Sequence, residues 1–150
     1  MAFTAKDVQA LREKTGVGMM DCKKALVEAD GDMDKAVDIL REKGLASAAK
    51  KASRVAAEGV VAAYSDATAG ALVEINCETD FVAKGEPFVN LSNKVAKTVV
   101  AAKPADVDAL LATKAVDSDK TVEEEVQEVF LALRENMKVR RFAQIGRAHV

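Results

Sequence analysis

The stretch Glu74–Lys84 constrains the fold more than any other part of the chain, because its hydrophobic period changes within it. Apolar and polar side chains alternate over residues 73–78, which is the two-residue period of a strand with one buried face. The alternation stops at Thr79, whose hydroxyl can accept a backbone N–H at the start of a helix. We therefore predict a strand that turns directly into a helix.

Asp80 and Phe81 lie at the corner that this change of structure creates. Asp80 falls in the first turn, where the helix dipole favours a negative charge. The pattern alone favours a core position for Phe81, because most aromatic rings are buried. A ring at a corner can instead stand out from a rigid scaffold and contact a partner. The residues by themselves leave both interpretations of Phe81 open.

The eleven residues of this stretch, Glu-Ile-Asn-Cys-Glu-Thr-Asp-Phe-Val-Ala-Lys, resemble in register the second signature of the bacterial elongation factor Ts family. Members of that family are guanine nucleotide exchange factors for elongation factor Tu in translation elongation. In the family, the tip of this motif is pushed into the nucleotide-binding domain of elongation factor Tu and disturbs its magnesium site. The resemblance implies that role for Thr79, Asp80, Phe81 and Val82.

The first 44 residues predict three short helices. Thr4 and Asp32 occupy cap positions, and Gly16 and Gly44 are expected to end the first and third helices. Apolar stripes at three- and four-residue spacing should form a small core, and they comprise Val8, Leu11, Met19, Cys22, Ala25, Leu26, Ala29, Met33, Ala36, Val37 and Leu40. A core this small is marginal, so we expect it to gain stability from its neighbours or a partner.

Residues 11–26 resemble the first signature of the same family. There it belongs to a ubiquitin-associated-like three-helix domain that docks on elongation factor Tu. The resemblance implies a docking role for Leu11, Arg12, Thr15, Gly16, Val17, Gly18, Met19 and Met20. At least one of the two methionines can alternatively be core filler, because methionine adapts to irregular gaps. An exposed methionine would be an adaptable contact.

The rest of the chain predicts a small antiparallel sheet packed on helices. Residues 60–65 and 71–78 should form a hairpin around a turn at 66–70, and residues 138–144 should form a last strand that could join it. Pro87, Asp106 and Thr121 mark helix starts. The expected buried stripes are Phe88, Leu91, Val95, Val99, Val107, Leu110, Leu111, Val122, Val126, Val129, Phe130 and Leu133.

These patterns predict an α+β protein in three segments. Residues 1–54 form the ubiquitin-associated-like module and an Ala-rich, solvated helical connector. Residues 55–144 form what the resemblance implies is the N-terminal half of the family's core, a dimerisation-type domain. Residues 145–150 can be encoded by a string that matches a widely used sequencing-library adapter, so we expect them to be an artefactual tail.

Composition argues against several classes of function. The net charge is −2, with 22 basic and 24 acidic residues, which does not indicate a nucleic-acid or membrane binder. No apolar run reaches the roughly 18 residues of a membrane span. Cys22 and Cys77 lie in apolar patterns, and we expect them to be buried, reduced thiols of a cytoplasmic protein.

The chemistry of an active site is also missing from the sequence. His149 is the only histidine, which excludes a His-based triad or a zinc cluster. The segment beginning at Asp30 lacks the glycine and the final glutamate of a calcium loop. We therefore expect a protein that acts by binding, without a metal or cofactor, and not an enzyme.

The resemblance implies a nucleotide exchange factor for elongation factor Tu, and a homodimer as one state of the full-length protein. The alternative is a helical protein-interaction module of the ubiquitin-associated type without exchange activity.

Overall fold

The computed structural model describes residues 2–146. Three N-terminal helices precede a three-stranded antiparallel sheet packed on helices, which confirms the predicted α+β class. In chain order the elements are α1 (Ala5–Thr15), α2 (Met19–Glu28), α3 (Met33–Lys51), β1 (Glu58–Ser65), β2 (Ala69–Cys77), α4 (Asp80–Lys84), α5 (Glu86–Ala102), α6 (Val107–Ala112), α7 (Val122–Leu133) and β3 (Lys138–Gly146).

Local capping starts α1 and α3 and ends α1 as predicted. The Thr4 N–H donates to Asp7 Oδ2 at 2.7 Å, and the Lys35 N–H donates to Asp32 Oδ1 at 3.0 Å. The chain leaves α1 through Gly16 at φ 71°, a left-handed conformation that glycine adopts without strain. The predicted stripes form one buried cluster, except that Met33 is only partly buried and Met19 is exposed.

The prediction that Gly44 ends the third helix is wrong. α3 continues to Lys51 and takes in most of the expected connector. Gly44 is buried against α7, and a methyl group at this position would overlap Cδ2 of Leu131. Glycine therefore allows two helices to approach closely here. Leu131 also completes the buried cluster of the N-terminal helices, so this small core does gain from a neighbouring element.

The sheet has the order β1-β2-β3, with β2 in the centre and both pairs antiparallel. The hairpin turn is shorter than predicted, because Asp66 Oδ1 accepts the N–H groups of Thr68 and Ala69 at 2.7 and 3.0 Å. β3 joins the hairpin as predicted but extends to Ile145 and Gly146, which pair with residues 70 and 69. The foreign origin of residues 145–150 remains a prediction, and residues 147–150, with His149, lie outside the described residues.

The second core lies between one face of the sheet and α5. Val73, Ile75 and Cys77 are fully buried there, which confirms the alternation predicted for β2. The stripe of α5 from Phe88 to Val99 is buried as predicted. In α7 only Val122 and Phe130 of the predicted stripe are buried, and Val126, Val129 and Leu133 are half-buried.

Candidate partner-binding surfaces

The strand-to-helix corner forms where the alternation stops. β2 ends at Cys77, and the Thr79 hydroxyl accepts the Val82 N–H at 3.3 Å, which confirms Thr79 as the cap of α4. Phe81 is 84% exposed, so its interpretation as a core ring is wrong. Val82 and Ala83 are buried instead and anchor the short helix on the second core. Of the four predicted tip residues, Val82 therefore faces inward.

A carboxylate from a distant part of the chain holds this corner. Glu135 Oε1 accepts the Thr79 N–H at 3.0 Å, and Oε2 accepts the Thr79 hydroxyl at 2.7 Å. The neighbouring Asn136 N–H donates to Glu78 Oε1 at 2.8 Å. Asn136 is itself buried, and its side-chain amide donates to the Arg54 carbonyl at 2.8 Å. The segment after α7 thus binds both residues that precede α4.

The roles of Glu135 and Asn136 were not predicted from the sequence. One signal was present in the sequence, because a capping box needs a Glu, Gln or Asp at the third helical position to accept the N–H of the cap residue. In α4 that position is Val82, whose side chain cannot accept a hydrogen bond. The N–H of Thr79 therefore needed an acceptor from elsewhere, but local spacing could not identify which one.

The charged and thiol groups around the corner differ in exposure. Lys84 Nζ lies 3.2 Å from Asp80 Oδ2, and both side chains are largely exposed, so this pair is screened by water and contributes little. The Asp80 carboxylate is free to exchange partners. Burial raises the pKa of the Cys77 thiol to about 11, and the negative charge of Glu135 adds to the shift. Cys77 therefore stays neutral and structural.

A shallow apolar depression lies beside the exposed ring. Its lining includes Phe81, Val82, Pro87 and Leu133. The ring belongs to the lining of this depression, and Asp80 and Lys84 line it as well. An exposed aromatic ring next to an apolar depression, with charged groups around it, is typical of a protein contact surface.

The second predicted surface is the loop between α1 and α2 together with Met19 and Met20, the first two residues of α2, and we call it the methionine loop. Met19 is 43% exposed and Met20 is 64% exposed, so the interpretation of either methionine as core filler is wrong. Leu11, Thr15 and Val17 are buried beneath them. The Thr15 hydroxyl donates to the Leu11 carbonyl at 2.7 Å and accepts the Val17 N–H at 3.3 Å. These three residues hold the loop, while Arg12, Gly16, Gly18 and the methionines are exposed.

The C-terminal end of α7 lies between the two surfaces. On one side, a methyl group on Gly16 would lie 2.9 Å from Ala132 Cβ, and Arg134 Nη2 lies 3.8 Å from Asp21 Oδ2. On the other side, Leu133 lines the depression and Glu135 holds Thr79. Residues 132–135 thus link the methionine loop to the Phe81 corner.

Within residues 2–146, no group of three or more His, Cys, Asp or Glu side chains could hold a metal ion. No helix in this part of the chain is long and apolar enough to cross a membrane.

The fold and its exposed surfaces define the class as an α+β protein with a helical N-terminal module and a strand-to-helix corner that presents an aromatic ring. A sequence profile described as "Elongation factor TS" matches residues 78–150. The chain is 59% identical over 146 residues to "Elongation factor Ts" of Clostridium perfringens (strain SM101 / Type A), covering 96% of this chain and 48% of that protein.

Two further relatives carry the same name. "Elongation factor Ts" of Syntrophotalea carbinolica is 55% identical over 142 residues, covering 95% of this chain and 47% of that protein. The protein of that name from Clostridium novyi is 52% identical over 145 residues, with the same shares covered. The chain is therefore similar to elongation factor Ts over almost its whole length, and it spans about half the length of the curated relatives it matches.

Proposed function

We propose that this chain binds elongation factor Tu and promotes the release of its GDP through the tip formed by Thr79–Val82. The observation that carries the proposal is the Phe81 ring, which is 84% exposed on a corner held by Glu135. An apolar ring on a rigid support can enter a partner at little cost in conformational entropy, because its position is set before binding.

Nucleotide release follows from thermodynamic linkage. A protein that binds the nucleotide-free GTPase more tightly than the GDP-bound form must weaken GDP binding by the same factor. In such GTPases a magnesium ion bridges phosphate oxygens to the P-loop and switch residues. Phe81 would act as a wedge beside that ion, and the exposed carboxylate of Asp80 would compete electrostatically near the magnesium site. GDP then leaves faster, because a large local positive charge is displaced.

The loop before α2 would supply affinity rather than displacement. Met19 and Met20 offer flexible apolar side chains that can adapt to a partner surface. Arg12, Gly16 and Gly18 would contact the partner beside them, while the buried Leu11, Thr15 and Val17 keep the loop in shape. In this proposal residues 1–54 are the docking module, and residues 55–144 are the half-core that carries the tip.

The proposed protein acts in the cytoplasm by binding, not as an enzyme, and needs no cofactor or metal of its own. Full-length members would divide the interface among several patches, and some would form homodimers. When one patch binds, the effective concentration of the other patches at their own binding sites rises. This chain should therefore need higher concentrations than a full-length relative for the same rate of GDP release.

The proposal is tested by measuring the release of fluorescent GDP from elongation factor Tu. The unmodified chain should accelerate release in a concentration-dependent way, and Phe81→Ala should remove most of the acceleration. Val55→Ala is a matched control, because Val55 is 80% exposed and belongs to neither predicted partner-binding surface. If Phe81→Ala and Val55→Ala release GDP at the same rate, the proposed role of the tip is wrong.

The exposed methionine pair favours a second candidate, a helical interaction module without exchange activity. In that case the unmodified chain would bind elongation factor Tu or another protein, and the Met19→Ala/Met20→Ala variant would lose that binding. GDP release would stay at its spontaneous rate even when binding is saturated, which distinguishes this candidate from the exchange factor.

A further inference from the structure

We infer that Glu135 is a positioning residue, which sets the orientation of the Phe81 corner and thereby the rate of nucleotide release. The inference rests on the proposed function for its kinetic consequence, but its structural basis is independent of that function. It concerns a residue that lies 56 positions from Thr79 in the chain.

The geometry at Thr79 is that of a capping box completed by a distant residue. In α1 the cap Thr4 and the carboxylate of Asp7 satisfy each other within one turn. In α4 the corresponding position is Val82, and Glu135 supplies the missing acceptor. Its two oxygens accept both the N–H and the hydroxyl of Thr79, at 3.0 and 2.7 Å.

The length of α4 makes this contact important. The helix has five residues, which is far too short to be stable alone, because the first turn of a helix fixes several residues for one hydrogen bond. Its ordering depends on the buried Val82 and Ala83 and on the cap. The Thr79 hydroxyl can accept the Val82 N–H in a fixed direction because its own hydrogen points to Glu135.

The anchoring of Glu135 explains how it can act as a fixed support. Asn136 follows it directly, is buried, and donates hydrogen bonds to the carbonyls of Arg54 and Ala52 and to Glu78. Leu133 lies on the other side and lines the depression beside the ring. Glu135 therefore connects the tip to a buried part of the fold and is not among the residues that line the depression with Phe81.

The first test measures the corner without any partner. The chain contains no tryptophan, so Phe81→Trp introduces a single indole at the tip. In the Phe81→Trp variant, the fluorescence anisotropy should show that the indole side chain is restricted. Adding Glu135→Ala should increase the local motion of the indole. Glu42→Ala is the control, since Glu42 is an exposed carboxylate on α3 away from the corner. Equal anisotropy decays for Glu135→Ala and Glu42→Ala would overturn the inference.

The second test separates release from binding. Glu135→Ala should lower the GDP release rate at saturating chain about fivefold, the factor expected for the loss of a helix cap. The half-saturating concentration should change little, because the methionine loop is intact. Glu135→Gln should be intermediate, because its remaining carbonyl oxygen can accept only part of what the carboxylate accepts. The positioning role would be overturned if Glu135→Ala weakened binding as much as it lowered the release rate. It would also be overturned if the release rate of Glu135→Gln were no higher than that of Glu135→Ala.

A double-mutant cycle shows whether Glu135 acts through Thr79, and it remains informative if one variant is poorly stable. Thr79→Val keeps the shape of the side chain but removes its hydroxyl. If Glu135 acts through the cap, the two changes are non-additive in anisotropy and in release rate. Additive effects would contradict the inference. If Phe81→Ala leaves release unchanged while the anisotropy responds to Glu135→Ala, the proposed function fails and the positioning of the corner stands.

Discussion

The two exposed apolar surfaces of this chain are held in different ways. The hydrogen bonds that hold the methionine loop join residues close in the chain, such as the bond from the Thr15 hydroxyl to the Leu11 carbonyl, four positions away. The Phe81 corner is fixed by Glu135, 56 positions from Thr79. A loop between two longer helices can rely on local contacts, whereas a five-residue helix needs support from elsewhere in the fold.

The side chains that the two surfaces present also differ in flexibility. Methionine has several rotatable bonds and adapts to irregular surfaces. A phenylalanine ring has few torsions and keeps its shape, so less freedom is lost when it is immobilised. An adaptable surface suits docking, and a rigid one suits displacement of a partner's internal groups. The contrast in support therefore agrees with the division of roles proposed above.

The strongest test of this contrast compares two rings. Phe88→Ala should destabilise the chain by about 3–5 kcal/mol, because its ring is fully buried between the sheet and α5. Phe81→Ala should change stability by no more than about 0.5 kcal/mol, as for other exposed positions. Chemical denaturation followed by circular dichroism measures both. A large loss of stability in Phe81→Ala would show that the corner belongs to the core.

The features that the sequence predicted are those that depend on neighbours in the chain. The caps at Thr4, Asp32 and Thr79, the buried alternation in β2 and the stripe of α5 all follow from residues within one or two turns. The hairpin and its third strand were predicted for the same reason, with ends that differ by a few residues.

The features that were missed depend on contacts across the fold. Glycine is common just after the end of a helix, which is why Gly44 was predicted to end one. In the structure its lack of a side chain allows α3 to pack closely against Leu131. The exposure of Phe81 and Met19 could not be derived from periodicity, because a residue on an apolar stripe is exposed when nothing covers that end of the stripe. Glu135 follows the end of a helix, and no local pattern connects it to Thr79.

A substitution at Gly44 tests how the N-terminal helices are attached. Alanine is favoured over glycine inside a helix by up to about 1 kcal/mol, but overpacking against a buried leucine costs about 1–3 kcal/mol. Because Leu131 is buried and cannot move away easily, we expect Gly44→Ala to lower stability by about 1 kcal/mol. Thermal unfolding measures the change.

A change at Leu131, the residue that Gly44 contacts, provides the control for that experiment. In a Leu131→Val background the side chain is shorter, so Gly44→Ala should lose most of its penalty. The indole of Phe81→Trp should keep its anisotropy in Gly44→Ala, because the corner is held by Glu135 and not by α3. A penalty that persists in the Leu131→Val background would place the strain elsewhere than in the contact between α3 and α7.

The smallest expected effect at neutral pH is the pH dependence that Cys77 adds to stability, because this effect appears only above pH 9. Burial, aided by the charge of Glu135, raises the pKa of this thiol from 9.0 to about 11. The folded state therefore holds its proton more tightly than the unfolded state. Its contribution is fully present below pH 9 and is lost progressively as the pH rises from 9 towards 11.

Denaturant unfolding at several pH values isolates this contribution when the chain is compared with Cys77→Ala, since other groups titrate equally in both. The difference in stability between the two should stay constant below pH 9 and shrink above it. Glu135→Gln removes the charge that supplies the second cause of the shift, so in this background the total loss should be smaller and should level off at a lower pH. A difference that is flat across the whole range would mean that water reaches Cys77 and that the corner is looser than its hydrogen bonds imply.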